Sequence, residues 1–238
     1  MAVPTFQVSC CGKRLLCPGV YELRFTKPDG FVFVPGQFVL FDVPAADDPA
    51  DVQVRAYSVA SAPAEPELLF VVKLVEGGRA ARWVRDDVRE GTVVAMRGPL
   101  GVFHVDRSTT KPYLFIATGT GAAPFRSQVR WLLEEEGERR PMDVLLGVRR
   151  PEDLFWEEEW RAWEREFPQL RVHASFLDRT PDWHGETGTL QDRACRLIAA
   201  RPSGIYLCGS PFLVRELKES CLGAWGVPKE DVHVESYV

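Results

Sequence analysis

The chain changes its pattern once, near residue 106, and that change limits it to a small set of two-part folds. Up to about Asp106 it reads as short β-like runs at residues 20–26, 37–43, 52–60, 68–74 and 92–97, broken by proline and glycine. Turn signals recur between the runs, as in Pro28-Asp29-Gly30, Pro35-Gly36 and Gly77-Gly78. Several runs alternate apolar with polar residues, the pattern of a small antiparallel Greek-key β-barrel. One helical stretch interrupts it at residues 79–88, with Ala80, Trp83, Val84 and Val88 at helical spacing. From Lys111 onward strands alternate with helices. Strands are predicted at residues 113–117, 143–148, 171–176, 205–207 and 232–235, and helices at 124–135, 156–167, 190–200 and 212–222. The 113–117 run is apolar throughout, as a strand buried on both faces must be. This alternation predicts an α/β doubly wound parallel sheet. The expected domains are therefore 1–106 and 111–238, divided by a polar stretch ending at Pro112.

Composition excludes several classes. Of 238 residues, 45% are apolar and 26% charged, which rules out a disordered, collagenous or coiled-coil chain. No apolar run reaches the roughly 18 residues of a membrane-spanning helix, and the first residues lack the basic-then-apolar pattern of a signal peptide. A net charge of −5 argues against nucleic acid as a partner, since phosphate neutralisation supplies most of such affinity. Six cysteines in a chain of this size point to a reducing, cytoplasmic compartment rather than a disulfide framework. Cys10, Cys11 and Cys17 fit no common zinc or iron–sulfur spacing, and the four histidines are scattered, so no metal site is expected.

Two glycine turns carry the chemistry of the second half. Ala117-Thr118-Gly119-Thr120-Gly121-Ala122-Ala123-Pro124 lies between an apolar strand and a helix. Glycine lets backbone approach a ligand, and the helix start that follows favours a pyrophosphate. The third glycine of a Rossmann fingerprint is absent, and no Lys-Ser/Thr follows, which excludes a P-loop. A tight strand–helix turn would read the same way. Cys208-Gly209-Ser210-Pro211 repeats the arrangement after another strand, and carboxyl ends of strands in such a sheet converge on the ligand crevice. In the first half, Arg55-Ala56-Tyr57-Ser58 offers a planar fork for phosphate, a flat ring for stacking and a hydroxyl. Strand alternation turns Arg55 and Tyr57 to one face and Ser58 to the other.

Taken in order, Pro35-Gly36-Gln37-Phe38, Arg55-Ala56-Tyr57-Ser58, Gly77-Gly78-Arg79, Gly98-Pro99-Leu100-Gly101-Val102-Phe103, Gly119-Thr120-Gly121-Ala122-Ala123-Pro124, Gly147-Val148-Arg149, Cys208-Gly209-Ser210-Pro211 and Glu235-Ser236-Tyr237 resemble the motifs of the ferredoxin–NADP reductase family across nearly the whole chain. The resemblance implies a flavin-binding barrel followed by a nicotinamide-binding domain. It implies that Arg55 binds the flavin phosphate, that Ala56, Tyr57, Val72 and Lys73 line the flavin, and that Ser58 sits near flavin N5. Gly77, Gly78, Arg79, Ala80 and Ala81 would hold the flavin pyrophosphate. Gly119, Thr120 and Gly121 would carry the pyrophosphate of the nicotinamide nucleotide, with Arg149, Asp178, Arg179 and Gly209 also on that nucleotide. Cys208 and Glu235 would approach the reacting centre, and Tyr237 would cover the open flavin face. Ser58, Cys208, Glu235 and Tyr237 are thus the expected catalytic residues.

Departures from the family pattern bear on the cofactors. Ala81 replaces a common Ser or Thr, which removes one bond to the pyrophosphate; FAD is expected over FMN. Leu177-Asp178-Arg179 stands where Ser-Arg often holds the 2′-phosphate of NADPH. The carboxylate leans the reading to NADH, and Arg179 pulls toward NADPH. The implied reaction is hydride transfer from nicotinamide to flavin N5, followed by electron release to a separate acceptor such as a ferredoxin, a flavodoxin or an oxygenase component. Arg79, Arg82, Arg85 and Arg89 recur at helical spacing and offer a docking face for an acidic partner, although Asp86, Asp87 and Glu90 interleave with them as on an ordinary solvated face. Two alternatives share the fold: a reductase that takes free flavin as substrate, and a non-catalytic redox- or nucleotide-sensing subunit.

Overall fold

The computed structural model describes residues 3–45, 48, 50–178 and 188–237. Its longest strand, β1 (Thr5–Cys17), falls in a stretch for which the sequence pattern predicts no element. Val8 and Cys10 alternate inward and are buried. The strand serves two neighbours. Residues 5–9 pair with β6 (Val93–Leu100), and residues 10–17 pair with β2 (Val20–Thr26). The change of partner falls at an irregularity between Cys10 and Gly12, where glycine permits the bend of a barrel corner. With β3 (Phe38–Pro44), β4 (Val52–Ser58) and β5 (Glu67–Lys73) the strands form a six-stranded sheet in the order β4-β3-β6-β1-β2-β5, antiparallel at every pair. Its core is aromatic: Phe41 meets Phe70 edge-on at 5.0 Å and Phe25 at 5.1 Å. The predicted helix begins as α1 (Arg79–Arg82) and runs into a π-helical turn, Trp83–Asp87, that buries Trp83 and Val84 on the same core.

Parallel strands β7 (Tyr113–Thr118), β8 (Met142–Val148), β9 (Leu170–Phe176), β10 (Gly204–Gly209) and β11 (Val232–Ser236) form a sheet in the order β11-β10-β7-β8-β9. The chain steps from β7 out to β9, then returns to the other side of β7. That reversal places the topological switch between β7 and β10, where ligands of such sheets bind. The helices are α2 (Ala122–Arg130), continued by a π-helical turn Trp131–Glu135, then α3 (Glu157–Glu166), α4 (Leu190–Ala200) and α5 (Pro211–Leu222). The α4 bounds match the sequence pattern because Thr189 caps it: its hydroxyl accepts from Asp192 N–H, and the Asp192 carboxylate accepts from Thr189 N–H at 2.8 Å.

The contact pattern divides the chain into two compact units. The first runs through Val105 and includes Arg126–Glu135; the second takes the remainder. Within the first unit three consecutive buried side chains donate to backbone carbonyls: Arg126 to Ala60 at 2.8 Å, Ser127 to Ser61 at 2.6 Å and Gln128 to Phe103 at 2.6 Å. Arg126 also forms a two-bond ion pair with Glu65, at 2.9 and 3.1 Å, and Arg130 reaches the same carboxylate at 2.6 Å.

Within the second unit Glu138 accepts from the Arg140 guanidinium and from the Arg139 and Arg140 backbone N–H groups. The Arg140 bond first, and the backbone bonds with it, hold the Glu138 carboxyl down at about 2 against an ordinary 4.5. A depressed carboxyl contributes stability that is complete above its unfolded pKa and is lost as pH falls through the folded one. Glu138→Gln is therefore expected to lower the urea midpoint at pH 7 and to flatten its decline between pH 4.5 and 2. Equal acid limbs for the two proteins would refute this.

Candidate active site

On the first unit, Arg55 and Tyr57 lie on β4 opposite Phe41 and Val39 of β3, both fully buried. Opposed residues of an antiparallel pair share a face, so the arginine and tyrosine stand at the rim of the core, as strand alternation predicts. The Tyr57 ring is 5.9 Å from Phe41, and burial pushes its hydroxyl up to about 12, so it stays protonated. Ala56 is exposed on the other face, while Ser58, also on that face, is buried. The Arg55 guanidinium donates to the Val54 carbonyl at 2.9 Å and to the Gln53 side chain. Both bonds are local and lie near the surface, which leaves the group available to an anion. Val72 turns into the barrel core and Lys73 into solvent.

Beyond the end of β5 lies a cavity of about 690 Å³, within the usual range for small-molecule sites. Gly77, Gly78, Arg79, Ala81, Arg82 and Asp51 are among its lining residues. Gly77 has φ +72°, and a Cβ built there would meet nothing within 4 Å, so the turn leaves open space beside the backbone. Gly78 precedes α1 without a side-chain cap, and the first N–H groups of a helix have no partner within it. Glycine backbone, uncapped N–H groups and arginines suit a diphosphate. Arg79 donates to Asp51 at 2.6 Å and to its carbonyl at 2.9 Å, and this bond holds the Asp51 carboxyl below its ordinary range. Arg79, Arg82 and Arg85 all line this cavity, and Arg85 is also paired with Asp86; of the four regularly spaced arginines, Arg89 lies outside the lining set.

On the second unit the two glycine turns touch at the switch point. A Cβ on Gly121 would stand 2.3 Å from the Cys208 carbonyl oxygen; one on Gly209, at φ +131°, would stand 2.1 Å from the Thr118 hydroxyl. These glycines are required by the contact between the turns. Gly119, at φ +52°, faces open space. The Thr118 hydroxyl accepts from Ser210 N–H at 2.8 Å and ties β7 to the β10 turn; its partner lies 92 residues away, so no local pattern marks this role. Cys208 is opposite Glu235 in the sheet register, and Tyr237 N–H donates to the Gly209 carbonyl at 2.9 Å. Burial first, then the nearby Glu235 charge, raises the Cys208 thiol against the opposing hydrogen bond from Tyr237. Cys208 is thus a neutral thiol and not a thiolate nucleophile. Cys208, Gly209, Glu235 and Tyr237 therefore form one cluster at the carboxyl end of the sheet.

Arg149 and Asp178 form a second group past the ends of β8 and β9, joined by an ion pair of 2.7 Å, with Arg150 at 3.6 Å from the same carboxylate. The Arg149 bond lowers the Asp178 carboxyl below its ordinary range. Arg179 lies outside the described residues. Thr120 occupies the 3₁₀ turn Gly119–Gly121, and Ala80 the first turn of α1.

Residues 12–105 match the oxidoreductase FAD-binding domain, and residues 115–219 match the oxidoreductase NAD-binding domain. Together they define the class: an oxidoreductase that joins FAD to a nicotinamide nucleotide. Ferredoxin–NADP reductase B of Sorangium cellulosum is 34% identical over 242 residues, covering 98% of this chain and 97% of that protein. The chain belongs to the ferredoxin–NADP reductase family and is an FAD-dependent NAD(P)H oxidoreductase. The naphthalene 1,2-dioxygenase system ferredoxin–NAD(P)(+) reductase component of Pseudomonas putida is 32% identical over 82% of this chain, which spans only 57% of that protein's length. An Amycolatopsis cytochrome P450 reductase, GcoB, superposes with a TM-score of 0.85 at 23% identity, covering 99% of this chain and 71% of that one; the likeness is one of fold. Among the described residues no helix is long and apolar enough to cross a membrane.

Proposed function

We propose that the chain draws reducing equivalents from NADH or NADPH onto FAD held by the first unit and delivers them to a separate protein acceptor, a ferredoxin, a flavodoxin or an oxygenase component. The reading is carried by the presence, in one chain, of the Gly77–Arg79 cavity on one unit and the Cys208–Glu235–Tyr237 cluster on the other. Bound FAD supplies the redox chemistry, accepting two electrons with a hydride and releasing them singly. The residues supply binding and orientation. Arg55 neutralises phosphate, Tyr57 presents a neutral ring, and Gly77, Gly78 and Arg79 with Ala80 and Ala81 receive the diphosphate. Ser58, buried at the end of β4, would offer a neutral hydroxyl to the flavin. Gly119, Thr120 and Gly121, with Arg149 and Asp178, bind the nicotinamide nucleotide. The uncharged Cys208 would face the nicotinamide as a neutral thiol, and Tyr237 holds that thiol in place. The charge of Glu235 favours the oxidised nicotinamide cation that hydride loss creates. A cytoplasmic location accords with six cysteines that no disulfide joins.

Anaerobic mixing of the purified yellow protein with each nucleotide tests the reading. Rapid bleaching of the flavin band by NADH or NADPH is expected, followed by reoxidation on adding an oxidised ferredoxin. A protein purified colourless, which turns over only on added flavin, would instead make flavin a substrate; a bound flavin that neither nucleotide bleaches would remove the enzymatic reading.

A further inference from the structure

The helical run that borders the cavity is held at its far end by a side chain from another element. Lys13 sits in the middle of β1, paired with Leu23 of β2. Its Nζ donates to the carbonyls of Val84 at 2.8 Å, Arg85 at 3.1 Å and Val88 at 2.8 Å. These carbonyls close the run that starts at Arg79 and ends in the π-helical turn Trp83–Asp87. The last carbonyls of a helix lack partners within it, and an ammonium there satisfies them and matches the helix dipole.

The run needs such a hold. Helices of this length are marginal in water, and this one has no side-chain cap at its start. Trp83 and Val84 fix one face in the core, but an apolar contact permits sliding and rotation that three directed bonds do not. Arg79, Ala81, Arg82, Trp83, Arg85 and Asp87 all line the cavity, so a shift of the run reshapes its wall. The ammonium also stands 5.7 Å from the centre of the Tyr21 ring on β2, which limits where it can go.

We propose that Lys13 is a positioning residue for the cofactor: it touches no ligand, but it sets the register of the helical run and thereby the width of the diphosphate cavity. The proposal rests on the reading that this cavity takes the diphosphate of FAD. It predicts a selective defect. Ligands that reach the cavity lose affinity, and ligands confined to the β4 rim do not.

The test uses the full chain stripped of flavin, with FAD and riboflavin titrated by fluorescence quenching into wild type, Lys13→Met and Lys13→Arg. Lys13→Met keeps the apolar stem and removes the cation. It is expected to weaken FAD by at least about tenfold and riboflavin by less than about twofold, with Lys13→Arg recovering most of the FAD affinity. Equal FAD affinity in wild type and Lys13→Met would overturn the proposal and leave the cavity reading intact. An equal loss for both ligands would mark a general barrel defect and also overturn it. A wild-type apoprotein that binds riboflavin no more weakly than FAD would overturn the cavity reading itself, and the proposal with it.

Discussion

Glu65→Ala is expected to destabilise the first unit by about 3–5 kcal/mol, the usual cost of breaking a buried ion pair from one side. Arg126 is 2% exposed, so its charge is balanced by protein groups, Glu65 among them, and not by water. Its guanidinium would keep the Ala60 carbonyl and lose both bonds to Glu65. Arg130 would lose its 2.6 Å bond, and the Ala62 N–H, which donates to the same carboxylate at 2.6 Å, would lose its acceptor. The sign follows from asymmetry. A buried charge that loses a carboxylate cannot exchange it for water, whereas an exposed pair such as Arg85–Asp86 is solvated with or without its partner. Urea unfolding checks this: a large drop in midpoint for Glu65→Ala beside a nearly unmoved one for Asp86→Ala. A Glu65→Ala protein within about 1 kcal/mol of wild type would mean that water reaches Arg126 freely.

Gly209→Ala is expected to cost about 10²-fold or more in kcat/KM for the nicotinamide nucleotide, the scale of a misplacement near 1 Å. A methyl there would stand 2.1 Å from the Thr118 hydroxyl and 2.5 Å from the Thr118 carbonyl oxygen, at a φ that side chains rarely adopt. Something must move, and Cys208 on one side and Ser210 on the other move with it. The neighbouring Tyr237 is tied to the same residue through the Gly209 carbonyl. Relief should come from shrinking the obstacle: Thr118→Gly combined with Gly209→Ala is expected to recover only part of the loss, because the Thr118 carbonyl oxygen at 2.5 Å, the Thr118 N at 3.1 Å and the positive φ remain. Steady-state kinetics on the three proteins settles the point; a Gly209→Ala enzyme with wild-type kcat/KM would show that the turns separate without consequence.

These two sites also show where sequence is readable. Periodicity gave α4 its bounds because a capping box and a polar–apolar pattern agree there. The parallel strands were legible because both faces are covered, which demands continuous apolar runs such as residues 113–117. β1 was not legible. Gly12, Lys13 and Arg14 break its alternation where it changes partner, and Cys10 does the work of a small apolar residue. The glycine turns were found, but their purpose was only half read. A ligand and a neighbouring backbone make the same demand for a missing Cβ, and only the fold shows that Gly121 and Gly209 answer to the neighbour while Gly119 faces open space. The Glu65–Arg126 pair and the Lys13 anchor join residues 61 and more than 70 positions apart, and no local pattern encodes such a meeting.

The split pairing of β1 bears on how the protein is made. Thr5 lies opposite Arg97, so β1, once made, waits for nearly a hundred residues of synthesis before its second neighbour arrives. The Ala60 carbonyl in turn waits 66 residues for Arg126. A nascent chain halted before β6 would display an incomplete sheet with an open hydrogen-bonding edge on β1, the form most prone to joining another copy of itself.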